Sequence, residues 1–127
     1  MRGLIIDEHW ISLVIAGKKT WEMRSRDTRV RGRIALIRKG SKTVVGTADL
    51  IDTLPNMSVP ELQANVARHR VPAGEIGEHF KWRTAWVLHH ARPLSKPVPY
   101  QHPRGAVIWV MLNPATIKMV EEQIRGG

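Results

Sequence analysis

Apolar residues in this chain fall in short runs, and that spacing limits what it can fold into. Gly3 to Ile6, Arg33 to Ile37, Thr84 to His90 and Ala106 to Leu112 are each of strand length, with β-branched or aromatic residues among them. Between the runs stand Gly17, Arg31-Gly32, Gly40-Ser41 and the proline-rich segment Pro93 to Pro103, the residue types that stop strands and make turns. No run approaches the roughly 18 apolar residues of a membrane span, so no membrane partner is expected. The 127 residues, 43% of them apolar, suffice for one hydrophobic core. Residues 1–127 are therefore read as a single domain without internal repeat or linker. There is no cysteine, hence no disulfide framework and no thiolate nucleophile. The first apolar segment is too short for a secretory signal and Asp7 follows it at once; a cytoplasmic location is expected.

The local signals order themselves as follows. Gly3 to Ile6 is a strand, Asp7 suits a helix N-cap, and a helix runs from about Glu8 to Ala16 with Gly17 as its stop. Lys19 to Arg24 alternates polar and apolar, which places Trp21 and Met23 on one face and Thr20, Glu22 and Arg24 on the other. A third strand covers Arg33 to Ile37. A fourth, Thr43 to Ile51, is interrupted by Gly46, which predicts a bulge or a close backbone approach. Ser58-Val59-Pro60-Glu61 reads as a capping box opening a helix to about His69. Gly74 and Gly77 punctuate a loop or short helical segment up to Phe80. Strands at Thr84 to His90 and Ala106 to Leu112 are joined by the prolines, and Asn113-Pro114 begins a C-terminal helix from about residue 114. The architecture is α+β, with short strands closing into a barrel.

The formal charge is +9, and its distribution says more than its size. Ten of the twenty Lys and Arg residues lie between Lys18 and Lys42, opposed only by Glu22 and Asp27. Such a cluster attracts polyanions with salt-dependent affinity, although a merely solvating cationic face is the simpler alternative. Arg26, Arg29, Arg31, Arg33, Arg38, Lys39 and Lys42 are the residues expected to follow a nucleic-acid backbone.

Three features together resemble the ASCH family. Gly17-Lys18-Lys19-Thr20-Trp21-Glu22-Met23-Arg24 matches the pattern G-x-K-T-x-E-x-R, read from Gly17 with Lys19, Thr20, Glu22 and Arg24 at its other specified positions. Arg31-Gly32-Arg33-Ile34 and Val45-Gly46-Thr47-Ala48 follow, and then Ala85-Trp86-Val87-Leu88, Pro97-Val98-Pro99-Tyr100 and Gly105-Ala106-Val107-Ile108-Trp109. The resemblance implies a PUA-like fold, a small mixed β-barrel flanked by helices, with a cleft beside the first segment. It also implies a role in RNA metabolism: some relatives bind nucleic acid, one branch hydrolyses N4-acetylcytidine, and at least one relative cuts RNA.

On that resemblance Lys19, Thr20, Glu22 and Arg24 form the ligand site, with Trp86 beside the cleft. A carboxylate flanked by cations can accept from a base's amino group while the cations hold an oxygen. The structural alternative is a Glu22–Arg24 ion pair that closes a barrel end. In the acetylcytidine-hydrolysing branch a threonine nucleophile stands where this chain has Glu22, and its activating lysine corresponds to Lys19. The covalent route is then absent in that form, and Glu22 would act as a general base on water. That branch's later glutamate corresponds to either Glu75 or Glu78.

Trp10, Trp82 and Trp86 are candidates for stacking on a base, against the simpler reading of each as core. The six histidines show no metal-ligating spacing, and each is expected in an exposed or loop position. No metal and no cofactor are expected. The leading expectation is a module binding single-stranded RNA or a modified nucleoside. The alternatives are a metal-independent ribonuclease or amidohydrolase with Lys19 and Glu22 catalytic, and an interaction module holding no nucleic acid.

Overall fold

The computed structural model describes residues 1–126. In chain order the elements are β1 (Arg2–Ile6), α1 (Glu8–Ile15), β2 (Trp21–Arg24), β3 (Gly32–Arg38), β4 (Thr43–Leu54), α2 (Val59–Gln63) and α3 (Val66–His69). After a single 3₁₀ turn at Ala73–Glu75 come β5 (Thr84–Pro99), β6 (Trp109–Met111) and α4 (Pro114–Gly126). The six strands make one sheet in the order β2-β5-β4-β3-β1-β6. It is mixed: β1 runs parallel to β3 and every other pairing is antiparallel. The sheet curls into a half-barrel flanked by the helices, so the expected mixed barrel is present but open.

Both faces of the sheet are covered, and adjacent residues of β1 and β3 serve opposite faces. Leu4, Ile6, Ile34 and Leu36 pack with Ile11 and Val14 of α1. Ile5, Ala35 and Ile37 pack with Val120 and Ile124 of α4. A sheet buried on both sides needs continuous apolar strands rather than alternating ones. A third cluster joins Trp21, Met23 and Ala85 to Met57, Leu62, Val71 and Ile76, beneath α2. Among the described residues no helix is long and apolar enough to cross a membrane.

Local chemistry explains the element ends. The Asp7 carboxylate accepts from the His9 N–H at 3.2 Å and caps α1. Ser58 Oγ accepts from the Glu61 N–H at 3.2 Å while Glu61 Oε1 accepts from the Ser58 N–H at 3.1 Å, so the capping box is formed in both directions. The helix expected to continue to His69 is two helices, α2 and α3, with Ala64 and Asn65 between them. The larger departure is β5. The proline-rich segment expected to be a connection continues the strand to Pro99, and β6 is only three residues long. β2 pairs with Thr84 to Val87 of β5, and the Leu88 N–H still donates to the Thr20 carbonyl at 2.8 Å; beyond that no strand lies on this side of β5. There a proline's missing N–H removes no ladder bond.

Candidate functional site: a cavity beside strand β2

Strand β2 spaces its side chains by two residues, so Glu22 and Arg24 leave it on the same face. Arg24 Nε and Nη2 donate to Glu22 Oε2 at 3.1 and 2.8 Å. Nη2 also donates to the Ile5 carbonyl at 2.8 Å, and the guanidinium lies 5.4 Å from the Trp86 ring centroid. The ion pair weighed from the sequence is thus formed, and it ties β2 to β1.

Lys19 reaches the same carboxylate from the turn before β2. Its side chain is buried, with Nζ 3.8 Å from Glu22 Oε1 and 4.4 Å from the Trp10 ring centroid. The ammonium donates to the main-chain carbonyl of His69. Burial pushes the Lys19 pKa down to about 8; Glu22 opposes that shift and Arg24 adds to it.

The end of α3 holds this segment residue by residue. The Thr20 N–H donates to the Arg68 carbonyl at 2.9 Å. Arg70 Nε donates to the Lys18 carbonyl at 2.9 Å, and Lys19 takes His69 between them. His69 is 0% exposed, which corrects the expectation of an exposed or loop histidine. Its burial is tolerated because both ring nitrogens have partners: Nδ1 accepts from the Val71 N–H at 2.9 Å, and Nε2 lies 2.6 Å from the Leu62 carbonyl. A main-chain N–H can only donate, so Nδ1 carries no proton and the ring is the neutral Nε2–H tautomer. Burial lowers the His69 pKa, the Leu62 carbonyl opposes the shift, and Lys19 reinforces it.

These groups line a cavity of about 490 Å³. Lys19 and Glu22 are buried in it, Arg24 is half-buried, and Asp7, Lys39, Glu75, Trp82 and Val107 are exposed. Trp10, Met23, Val71 and Phe80 supply apolar surface. Arg83 shapes the loop that brings in Phe80 and Trp82: its guanidinium donates to the carbonyls of Phe80, Gly77 and Glu78 at 2.9, 3.3 and 3.1 Å.

The structure gathers some of the residues named from the sequence and separates others. Lys19, Glu22, Arg24 and Lys39 line the cavity, and Thr20 does not. Of the two glutamates left open, Glu75 lines it and Glu78 does not. Trp86, expected beside the cleft, is 2% exposed. Its ring stacks on Trp109 at 5.7 Å and 12°, its Nε1 donates to the Arg26 carbonyl at 2.9 Å, and it lies outside the cavity lining. Trp86 is therefore a core residue, and the cavity's indoles are Trp10 and the half-exposed Trp82. In the basic set, Arg31 is tied to the Thr28 and Val30 carbonyls and to Thr53 Oγ1 at 2.9, 2.8 and 3.0 Å. Arg38 pairs with Glu8 at 2.9 Å. Arg26, Arg29, Arg33 and Lys42 are exposed. Sequence reading missed His69, whose contribution to the site is a main-chain carbonyl with no side-chain signature.

Comparison with known proteins bears on the fold. Three crystal structures of the ASCH protein of Zymomonas mobilis share the fold at 18% identity. One point mutant superposes with a TM-score of 0.68 over 95% of this chain and 96% of its own. A second gives 0.69 over 95% and 94%, and a structure of the protein itself gives 0.68 over 95% and 93%. No curated protein matches the chain. The ASCH domain matches residues 4–98, a span that runs from within β1 almost to the end of β5 and holds most of the cavity, and the chain belongs to the ASCH domain family.

Proposed function

We propose that the cavity binds one uncharged nucleobase, presented by a modified nucleoside or by single-stranded RNA. The observation that carries this reading is charge balance. Lys19, Arg24 and Lys39 line the cavity together with Glu22, Asp7 and Glu75, three cations against three carboxylates, although the chain as a whole carries +9. A phosphate inside would face as many carboxylates as cations. A base, which is polar and neutral, finds both donors and acceptors there. The volume lies within the roughly 300–1,000 Å³ of small-ligand sites, and Trp10, Phe80 and Trp82 put aromatic surface in the lining, the kind of surface on which bases stack. The surplus charge lies outside the cavity, where exposed Arg26, Arg29, Arg33 and Lys42 are free to follow a backbone.

Tryptophan fluorescence titrations with cytidine, N4-acetylcytidine, cytidine monophosphate and a single-stranded RNA oligonucleotide test the proposal. The nucleoside and its monophosphate are expected to bind equally well with little salt dependence, while the oligonucleotide binds more tightly and loses affinity as salt rises. Trp82→Ala weakens all of them about tenfold. A monophosphate that bound far more tightly than its nucleoside would overturn the uncharged-ligand reading.

The lowered Lys19 pKa favours a second reading, a metal-independent hydrolase acting on N4-acylated cytidine or on RNA. An amine with a pKa of about 8 is partly neutral near physiological pH and can accept a proton, and Glu75 lines the same cavity. Glu22 is the weaker candidate for a base, because its Oε2 already accepts twice from Arg24. Product formed in the presence of EDTA and abolished by Lys19→Ala supports this reading; activity that survives the substitution excludes it.

A further inference from the structure

We infer that His69 is a positioning residue: its buried imidazole, anchored at both nitrogens, fixes the main-chain carbonyl that holds the Lys19 ammonium in the cavity. Five bonds carry the inference. Nε2–H donates to the Leu62 carbonyl, which ties the end of α3 to α2. Nδ1 accepts from the N–H of Val71, itself a cavity residue. The carbonyl of His69 accepts from Lys19. The flanking bonds from Thr20 to Arg68 and from Arg70 to Lys18 keep the two segments in register. An ammonium buried to this extent stays put only while its acceptor is fixed.

The titratable and charged groups around Lys19 Nζ are Glu22 and Arg24 from β2 and the neutral His69 ring from α3, with exposed Asp7, Lys39 and Glu75 on the same cavity lining. Protonating His69 would remove the Val71 bond and set a second cation beside Lys19. The neutral ring is therefore part of the device. The importance of this role for ligand recognition rests on the nucleobase reading above.

The test needs no ligand, so its failure is distinct from a failure to bind nucleosides. The Trp10 indole lies against Lys19 Nζ, and its N–H resonance, assigned with Trp10→Phe, reports the lysine's titration. The parent protein is expected to show a midpoint of about 8, absent in Lys19→Met. His69→Asn retains an acceptor near the Nδ1 position and His69→Gln a donor near Nε2, so each keeps part of the anchoring while thermal unfolding checks that it folds. In both, the Lys19 midpoint is expected to rise by about one pH unit or more, as the ammonium turns out to water. A midpoint unchanged or lowered in both folded variants overturns the inference. Imidazole ¹⁵N shifts of the parent protein give an independent reading: Nε2–H at neutral pH is expected, and an Nδ1–H or doubly protonated ring overturns it even if neither variant folds.

Discussion

The guanidinium of Arg24 meets the carbonyl of Ile5 at 2.8 Å, across the opening of the half-barrel between β2 at one edge of the sheet and β1 near the other. The Ile5 N–H still bonds to the Ile108 carbonyl at 2.9 Å, and beyond that point β6 gives β1 no further partner. One side chain thus satisfies a strand carbonyl that no neighbouring strand reaches, and its other bonds go to Glu22 of its own strand.

Replacing Arg24 by Met leaves the Glu22 carboxylate, 4% exposed, and the Ile5 carbonyl without these donors. Urea denaturation is expected to show a loss of about 3 kcal/mol. The triple substitution Lys19→Met, Glu22→Leu and Arg24→Met recovers most of it, because Lys19 shares the Glu22 carboxylate and only the removal of all three leaves no buried charge unpaired. Arg24→Lys does not, since an ammonium cannot span both acceptors in the same fork. A parent-like midpoint for Arg24→Met would show that the opening is held by other contacts.

Lys19 makes stability rise with pH on the alkaline side. Its pKa is about 8 in the folded chain against 10.5 ordinarily, so the unfolded chain binds more protons between these values. The destabilising burial of the ammonium is fully present below about pH 8 and is relieved as pH climbs toward 10.5. Urea midpoints of the parent and Lys19→Met, compared at about pH 7.5 and about pH 9.5, are expected to converge or cross as the parent gains. Parallel pH profiles for the two chains would contradict the lowered pKa.

Gly46 admits no side chain. A Cβ there would stand 2.6 Å from the main-chain oxygen of Arg92 on the paired strand, at the register shift between Val44 and Gly46. Gly46→Ala is expected to lose about 1–3 kcal/mol by thermal unfolding, because backbone rather than a side-chain tip must move. A Tm equal to the parent's would mean that β5 can shift away without loss.

Much of this was legible locally. Gly46 announced a close approach, the Ser58 box announced α2, and the two-residue spacing of β2 placed Glu22 beside Arg24. What escaped depends on distant partners. Pro93, Pro97 and Pro99 read as a connection because nothing nearby shows that β2 ends its pairing at Val87. Trp86 lies in the apolar run Ala85 to Leu88, a core signal, whereas Trp82 stands between Lys81 and Arg83, and those polar neighbours marked one of the two indoles that line the cavity. The contact between Lys19 and His69 spans fifty residues, and a carbonyl acceptor leaves no trace in residue identity.

That separation also bears on the order in which the molecule can assemble. Lys18, Lys19 and Thr20 are secured by residues 68–70, and β2 pairs only with residues 84–87 of β5. The chain between them must close large loops before any of these bonds can form, an entropic barrier that local contacts do not face. β3 and β4, joined by a short turn at residues 39–42, have no such obstacle. During synthesis the β3–β4 hairpin can therefore form while the earlier Lys19 segment still lacks its partners at residues 68–70 and 84–87, and the cavity matures only after β5 has arrived.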